Sequence, residues 1–338
     1  MLENGITVAG SLNADVFYEI DTYPSQGFLT NVHDISMNVG GTGNIILDLA
    51  KLDSNLTVKV CAAIGEDERG REAIDILSAY SNVNTENVTV AGKQSAVCMV
   101  MNAADTKQRT FFYIPGTNDL FDINCIDFDK INTKIFHLEY LLLMKKVDSP
   151  DAEFGTHAAR ILKTAKDRGM LTSIDMVSEQ SERAKTVVIS ALKYTDICCI
   201  NESEAETVTG IELNRNGELV HENMGKAIKA IADMGVSKWV VVHAPKCSYG
   251  YNCETNEMCV VPSLNLPKGY IKGSNGAGDA YCSGVLYGAN EDWSLYESMR
   301  LARAAAACSL SENNGTDGMR SVQDALKLEK EFGELSIN

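Results

Sequence analysis

A chain of 338 residues is too long for one small core and suits a large α/β domain with an appendage. Its 45% hydrophobic content argues against disorder, and a formal charge of −16 argues against nucleic acid or an anionic membrane as partner, because both demand a basic surface. The ten cysteines form no C-x-x-C pair, and most (Cys61, Cys98, Cys198, Cys199, Cys282, Cys308) stand in apolar runs as small buried hydrophobes. No run approaches the roughly 18 apolar residues of a membrane span and no basic-then-apolar leader opens the chain, so a reducing cytoplasm is expected.

Gly5–Gly10 reads as a short buried strand, and Ser11 to Asp15 follow where a parallel strand presents its crevice end. Asn13 and Asp15, projecting from one turn, could hold a hydroxyl-bearing ligand; local sequence alone favours an Asx-type turn that satisfies its own backbone. From Val16 to Met37 the pattern is short and alternating, with Pro24 and Gly27 as turn points. Gly40-Gly41-Thr42-Gly43-Asn44 then opens a helix carrying Ile45, Leu49 and Leu52. The dinucleotide fingerprint G-x-G-x-x-G is not completed here. Val58–Gly65 is a strand, and Glu66 to Glu68 place acid at the start of a helix running through Ile74 and Leu77.

Ser95–Met101 and Thr110–Ile114 form a β-rich pair joined by Asn102 to Lys107, which with the Val16–Met37 strands makes a small separate sheet. The rhythm then changes. Strands at Ile135–Leu138, Leu171–Asp175 and Asp196–Ile200 alternate with helices at Asp151–Asp167 and Glu182–Leu192, as in βαβ units on a parallel sheet. The last of these strands delivers Asn201 and Glu204, three residues apart, to the crevice end. They could hold a hydrated Mg²⁺, or serve as a plain N-cap and its capping-box partner. Trp239–Val242 and Val260–Pro262 complete the strands. The alanine-rich helix Ser294–Leu310 could form an apolar wall for an adenine ring, although close packing alone explains such a run.

Before that helix stands Lys272-Gly273-Ser274-Asn275-Gly276-Ala277-Gly278-Asp279. Ala280, Gly284 and Gly288 recur at helical spacing, so Gly276 to Gly278 form the first turn of a buried helix whose glycines permit close approach to the sheet. The free N–H groups of a helix start suit an anion such as phosphate. A carboxylate at Asp279 would repel that anion unless it takes a proton from an attacking hydroxyl.

Together these residues resemble the ribokinase, or PfkB, carbohydrate kinase family over nearly the whole chain. Gly10-Ser11-Leu12-Asn13-Ala14-Asp15 is similar to the family's G-x-x-N-x-D, whose Asn and Asp hold sugar hydroxyls. Gly40-Gly41 with Asn44 is similar to the first signature, a substrate contact. Asn201-x-x-Glu204 resembles the N-x-x-E element tied to Mg²⁺ and phosphate, and Gly276-Ala277-Gly278-Asp279 the second signature, with its anion hole and catalytic base. The resemblance implies a single domain, residues 1–338, in a ribokinase-like three-layer sandwich: a mostly parallel central sheet, and a small β-sheet lid from strands inserted at about 15–38 and 95–115.

Three departures stand out. Gly273 occupies the place where the family often has an Asp, which leaves a monovalent-cation site without its carboxylate. The spacing from Gly41 to Asn44 is one residue short. After Trp239–Val242, where the family often reads T-L-G-x-x-G, this chain has His243-Ala244-Pro245-Lys246, so the nucleotide loop is altered; His243 and Asn275 are candidates to face the nucleotide.

The resemblance implies ATP- and Mg²⁺-dependent phosphorylation of a sugar-like hydroxyl, with Asp279 as base, Gly276 to Gly278 stabilising the transferring phosphoryl group and Glu204 near the metal through water. Apolar lid strands further imply a homodimer through the lid. Two rivals are kinases: a phosphosugar kinase would want a basic crevice residue, for which Arg109 and Lys93 are available, and a nucleoside kinase would want stacking from Phe17, Tyr18, Phe112 or Tyr113. A non-catalytic nucleotide- or sugar-sensing protein on the same fold is a third reading, against which Asp279 counts.

Overall fold

The computed structural model describes residues 2–106, 108–179 and 181–337. A nine-stranded sheet crosses the molecule in the order Glu257–Pro262, Cys247–Asn252, Trp239–His243, Ile197–Asn201, Leu171–Met176, Thr133–Leu141, Glu3–Gly10, Thr57–Ile64, Val83–Val90. All run in one direction except Cys247–Asn252. Alternate residues of each strand feed different cores. Ile6, Val8, Val60, Cys199 and Val241 pack with the helices Thr42–Leu52, Ala277–Asn290 and Leu295–Leu310 on one face. On the other, Ala9, Cys61, Leu138, Cys198 and Val242 pack with His157–Asp167, Glu182–Leu192 and His221–Asp233. Near-continuous apolar strands buried on both sides are what a parallel sheet between two helical layers requires.

The chain first adds strands on one side of Glu3–Gly10, then crosses to place Thr133–Leu141 on its other side. That reversal opens a crevice at the strands' C-terminal ends, where ligands of doubly wound sheets bind. Over it lies a four-stranded sheet in the order Val32–Gly41, Leu12–Ile20, Ala96–Ala103, Arg109–Ile114. Only Ser11 separates the central strand from Leu12–Ile20, so Asn13 and Asp15 do not project from a turn. They lie on this second sheet, two residues apart and therefore on one of its faces.

Other boundaries differ from expectation for identifiable reasons. The helix expected from Asp151 begins at His157, capped by the Thr156 hydroxyl on Ala159 N, while Pro150–Asp151 pairs with Gly155–Thr156. Val83–Val90 is an edge strand and mostly polar, which hid it; Cys247–Asn252 was hidden by the polar residues before it. The helices His221–Asp233 and Val322–Phe332 were also not anticipated. The connection between Ala96–Ala103 and Arg109–Ile114 falls later than expected, and Lys107 lies outside the described residues. The small residues of Ala277–Asn290 approach a helix rather than the sheet: a Cβ on Gly284 would meet the Ala302 backbone, and one on Gly288 the Ser298 side chain. All ten cysteines are free. Among the described residues no helix is long and apolar enough to cross a membrane.

Candidate active site

The helix Ala277–Asn290 starts at Gly276, whose φ of 75° is left-handed; a Cβ there would come 2.6 Å from Gly315 Cα. The first intrahelical bond is Ala280 N to Gly276 O at 2.8 Å, so the amides of Ala277, Gly278 and Asp279 point out of the helix end without helical acceptors. Asp279, in this first turn, is buried. Its Oδ2 accepts from Asn44 Nδ2 at 2.7 Å and its Oδ1 from the Tyr140 hydroxyl. Burial pushes the carboxyl above its ordinary range, while those two donors pull it back towards the ionised form.

Asn44 reaches Asp279 because Gly41, at φ 60°, lets the helix Thr42–Leu52 begin against Ser11, with Thr42 N donating to Ser11 O at 2.7 Å. Gly40 has no side chain because the Asp15 carboxylate fills the space a Cβ would take. Burial, with the Asp279 charge adding to it, pushes Asp15 up to about 7. Asn118 fixes Asn13: its Nδ2 donates to Asn13 Oδ1 at 2.7 Å and to the Tyr113 hydroxyl at 2.8 Å.

On the far side of the helix start is a cavity of about 590 Å³. Ala277 and Gly278 form one wall, Ala306, Ala307 and Leu310 of the alanine-rich helix another, and His243 with Asn201 closes the strand end. The His243 ring stacks on Tyr281, centroids 5.0 Å apart, and burial draws it down to about 4, so it is neutral at physiological pH. Asn201 and Glu204 do make a capping box, Asn201 N to Glu204 Oε2 at 2.8 Å and Glu204 N to Asn201 Oδ1 at 2.9 Å. Glu204 Oε1 accepts from Ser178 at 2.8 Å, and burial raises the carboxyl to about 7. The plain capping box, one of the two readings of this spacing, is thus formed.

Two candidates are not brought into the site's centre. Arg109 donates to Asn313 O, across the crevice mouth; a Cβ on Gly273 would lie 2.5 Å from its Nη2, so a guanidinium stands beside the position where a carboxylate was missing. Asn275 offers its carbonyl to Ser309 Oγ at 3.4 Å.

The structure adds acids that sequence reasoning missed. Glu139 and Asp175 close on Asp279, with ligand oxygens all within 4.8 Å of one another. Neither Glu139 oxygen has a hydrogen-bond partner, nor has either oxygen of Asp48, one helical turn beyond Asn44. Burial and mutual repulsion push all three upward. An oxygen-rich, acidic set of this kind fits Mg²⁺, which prefers carboxylate, water and phosphate oxygens.

The profile described as pfkB family carbohydrate kinase matches residues 4–321. The chain belongs to the pfkB family. Within it, the chain is 23% identical to a ribokinase of Dictyostelium discoideum over 322 residues, covering 92% of this chain and 96% of that one. It is also 23% identical to a 5-dehydro-2-deoxygluconokinase of Clostridium botulinum over 309 residues, covering 88% and 86%. The solved Arabidopsis thaliana ribokinase, complexed with ribose and ATP, superposes with a TM-score of 0.75 at 20% identity, covering 96% of this chain and 98% of that one. This pfkB protein therefore shares the ribokinase fold, with a small second sheet beside the large one.

Proposed function

We propose that this protein transfers the γ-phosphoryl group of ATP to a hydroxyl of a sugar or sugar-like molecule. One observation carries the reading: a buried carboxylate, Asp279, stands in the first turn of a glycine-led helix, between a mostly apolar cavity and the sheet bearing Asn13 and Asp15. Binding alone gains nothing from a carboxylate beside phosphate; accepting the hydroxyl proton gives it a task.

In this reading the nucleotide base lies in the cavity against Ala306, Ala307 and His243. The amides of Ala277 to Asp279 face the transferring phosphoryl group, with Gly276 and Gly278 leaving the approach open. Asn13, Asp15, Gly40, Gly41 and Asn44 face the acceptor. Asn44 and Tyr140 orient Asp279 so that one carboxylate oxygen can take the hydroxyl proton as the new O–P bond forms. Glu204, with Asn201, would hold Mg²⁺ through water. The metal supplies charge neutralisation on the phosphates. Asp279→Asn lowers kcat by roughly 10²–10⁴-fold, the usual worth of a general base, with acceptor KM nearly kept. Turnover near wild type would overturn the assignment.

The small sheet acts as the lid of this site and as the dimer surface. On its outer face Ile35 is 61% exposed and Phe112 43%, beside half-buried Met37, Met99 and Ile114, an apolar surface that favours a partner's matching face. Light scattering of wild type at micromolar concentration should give twice the chain mass, and Ile35→Asp should give one; a monomeric wild type refutes the dimer.

A further inference from the structure

Tyr140, whose hydroxyl donates to Asp279, stands where the central sheet gives its strand least support. The ladder with Glu3–Gly10 ends at Glu139, where Gly10 turns away. The ladder with Leu171–Met176 sets Leu138 against Ile174 and Leu141 against Met176, so three steps on one strand face two on the other and the strand bulges at Glu139 and Tyr140. Two residues later Leu142, a buried leucine, takes a φ of 78°. A residue with a side chain stays in that left-handed region only where its surroundings hold it there.

What holds it is a pair of opposite charges. Asp148, buried, accepts from Leu142 N at 2.9 Å through Oδ1 and from Met144 N at 3.2 Å through Oδ2. Arg183, in the first turn of Glu182–Leu192, donates through Nη2 to Leu142 O at 2.7 Å and brings Nη1 within 3.5 Å of Asp148 Oδ2. Its Nε donates to Glu179 Oε1 at 2.9 Å, which fixes the guanidinium from behind. The N–H and the C=O of Leu142 are thus gripped by two side chains that also grip each other. Neither lines the nucleotide cavity. Asp148 and Arg183 face a separate groove of about 640 Å³ beside Leu143, Pro150 and Val187, on the opposite side of the sheet from Ala277–Asn290.

Resting on the kinase reading above, we propose that Asp148 and Arg183 are positioning residues for the phosphoryl transfer: by clamping Leu142 they place the Tyr140 hydroxyl, and through it the Asp279 carboxylate, from across the sheet. The path is short, because Leu143 N donates to Tyr140 O at 3.3 Å and Val177 N to Leu141 O at 3.1 Å, so the turn that the clamp closes begins at Tyr140 itself. With the clamp open, Leu142 is free to return to negative φ, and the residue two before it loses its aim. A base is sensitive to such displacement: a shift of about 1 Å that starts far from the chemistry can cost about 10²-fold in rate.

The test uses the full chain with Mg-ATP and whichever member of a panel of pentoses, hexoses and nucleosides releases ADP fastest. Asp148→Asn keeps the shape of the side chain but turns one acceptor into a donor; it should lower kcat about 10–100-fold with the KM for ATP kept within about twofold. Arg183→Gln should do the same and Arg183→Lys should recover part of the loss; Arg183 is half-exposed, so this pair decides the matter if Asp148→Asn fails to fold. A double-mutant cycle with Tyr140→Phe separates positioning from mere stability. If the clamp acts through that hydroxyl, adding Asp148→Asn or Arg183→Gln to Tyr140→Phe lowers kcat by no more than about twofold further, whereas a clamp that only supports the fold gives losses that multiply. Hydrogen exchange supplies a readout independent of turnover, and amides at 139–144 should exchange faster in both clamp variants than in wild type. Multiplying losses, an unchanged kcat in the clamp variants, or unchanged exchange at 139–144 each overturn the proposal. A wild type that phosphorylates no panel member sinks the kinase reading instead, and the exchange at 139–144 then decides the clamp by itself.

Discussion

Asn44 Nδ2 lies 2.7 Å from Asp279 Oδ2, joining the first turns of two helices that start 235 residues apart in sequence. With the Tyr140 hydroxyl on the other oxygen, it holds the ionised form of a carboxyl that burial pushes towards neutrality. In the proposed role as base Asp279 must be ionised to act, so that reading expects activity to fall as pH drops through this raised pKa. Tyr140→Phe removes one of the two groups lowering it. The acid limb of the kcat–pH profile therefore moves to higher pH, and kcat falls more at pH 6 than at pH 8.5. Parallel profiles for variant and wild type would count against this role.

Asp15 makes a stability prediction of opposite sense. Its folded pKa of about 7 exceeds the ordinary 3.8, so the folded protein favours the protonated form. The stabilisation is complete below the unfolded value and is lost as pH rises from about 4 to about 7, an effect on the order of 4 kcal/mol at most. Asp15→Asn, which cannot ionise, should raise Tm over wild type at pH 8 and change it little at pH 4. An equal difference at both pH values would refute the assignment, whatever happens to activity.

Gly284→Ala tests the packing of the anion helix. Alanine gains about 1 kcal/mol of helix propensity over glycine. Its Cβ, however, would enter the backbone of Ala302, and overpacking of this kind costs about 1–3 kcal/mol or more. We expect a net loss of stability in chemical denaturation, with the largest effect when Gly288→Ala is added.

Arg109→Ala frees the small sheet from the loop at Asn313. If the small sheet is the lid proposed above, the acceptor KM should rise about tenfold and ADP should form in excess of phosphorylated product, because closure would keep water from Asp279. Added guanidinium should restore part of the coupling. Gly273→Ala, which crowds the same guanidinium, should share the defect while keeping the arginine.

Much of this architecture is readable from the chain itself. Short apolar runs alternating with amphipathic helices announced the parallel sheet, and Gly276 to Gly278 announced the glycine-led start of the helix Ala277–Asn290. Glu139, Tyr140 and Asp175 escaped notice although each lies at or just past the end of a strand that was recognised, Ile135–Leu138 or Leu171–Asp175. A carboxylate there looks like any strand terminus until the fold brings both ends against Asp279. Asp48 left a fainter signal, an acid on the buried side of a helix one turn after Asn44. The packing partner of Gly284 was not legible, because helical spacing identifies a bare face and not what will cover it.

Gly10 turns the chain at φ 143°, with Glu139 O filling the place of a Cβ, and after Ser11 the strand leaves the central sheet for the small one. Asn13 and Asp15 thus belong to the small sheet, whereas Asp279 stands on a helix packed against the large one. In the kinase reading proposed above, the groups that grip the acceptor and the base that activates it are therefore carried by different sheets. On that reading, free energy gained from hydroxyls remote from the reacting one is available to bring the two together. A truncated acceptor that keeps the reacting hydroxyl but lacks those remote groups therefore loses turnover as well as affinity.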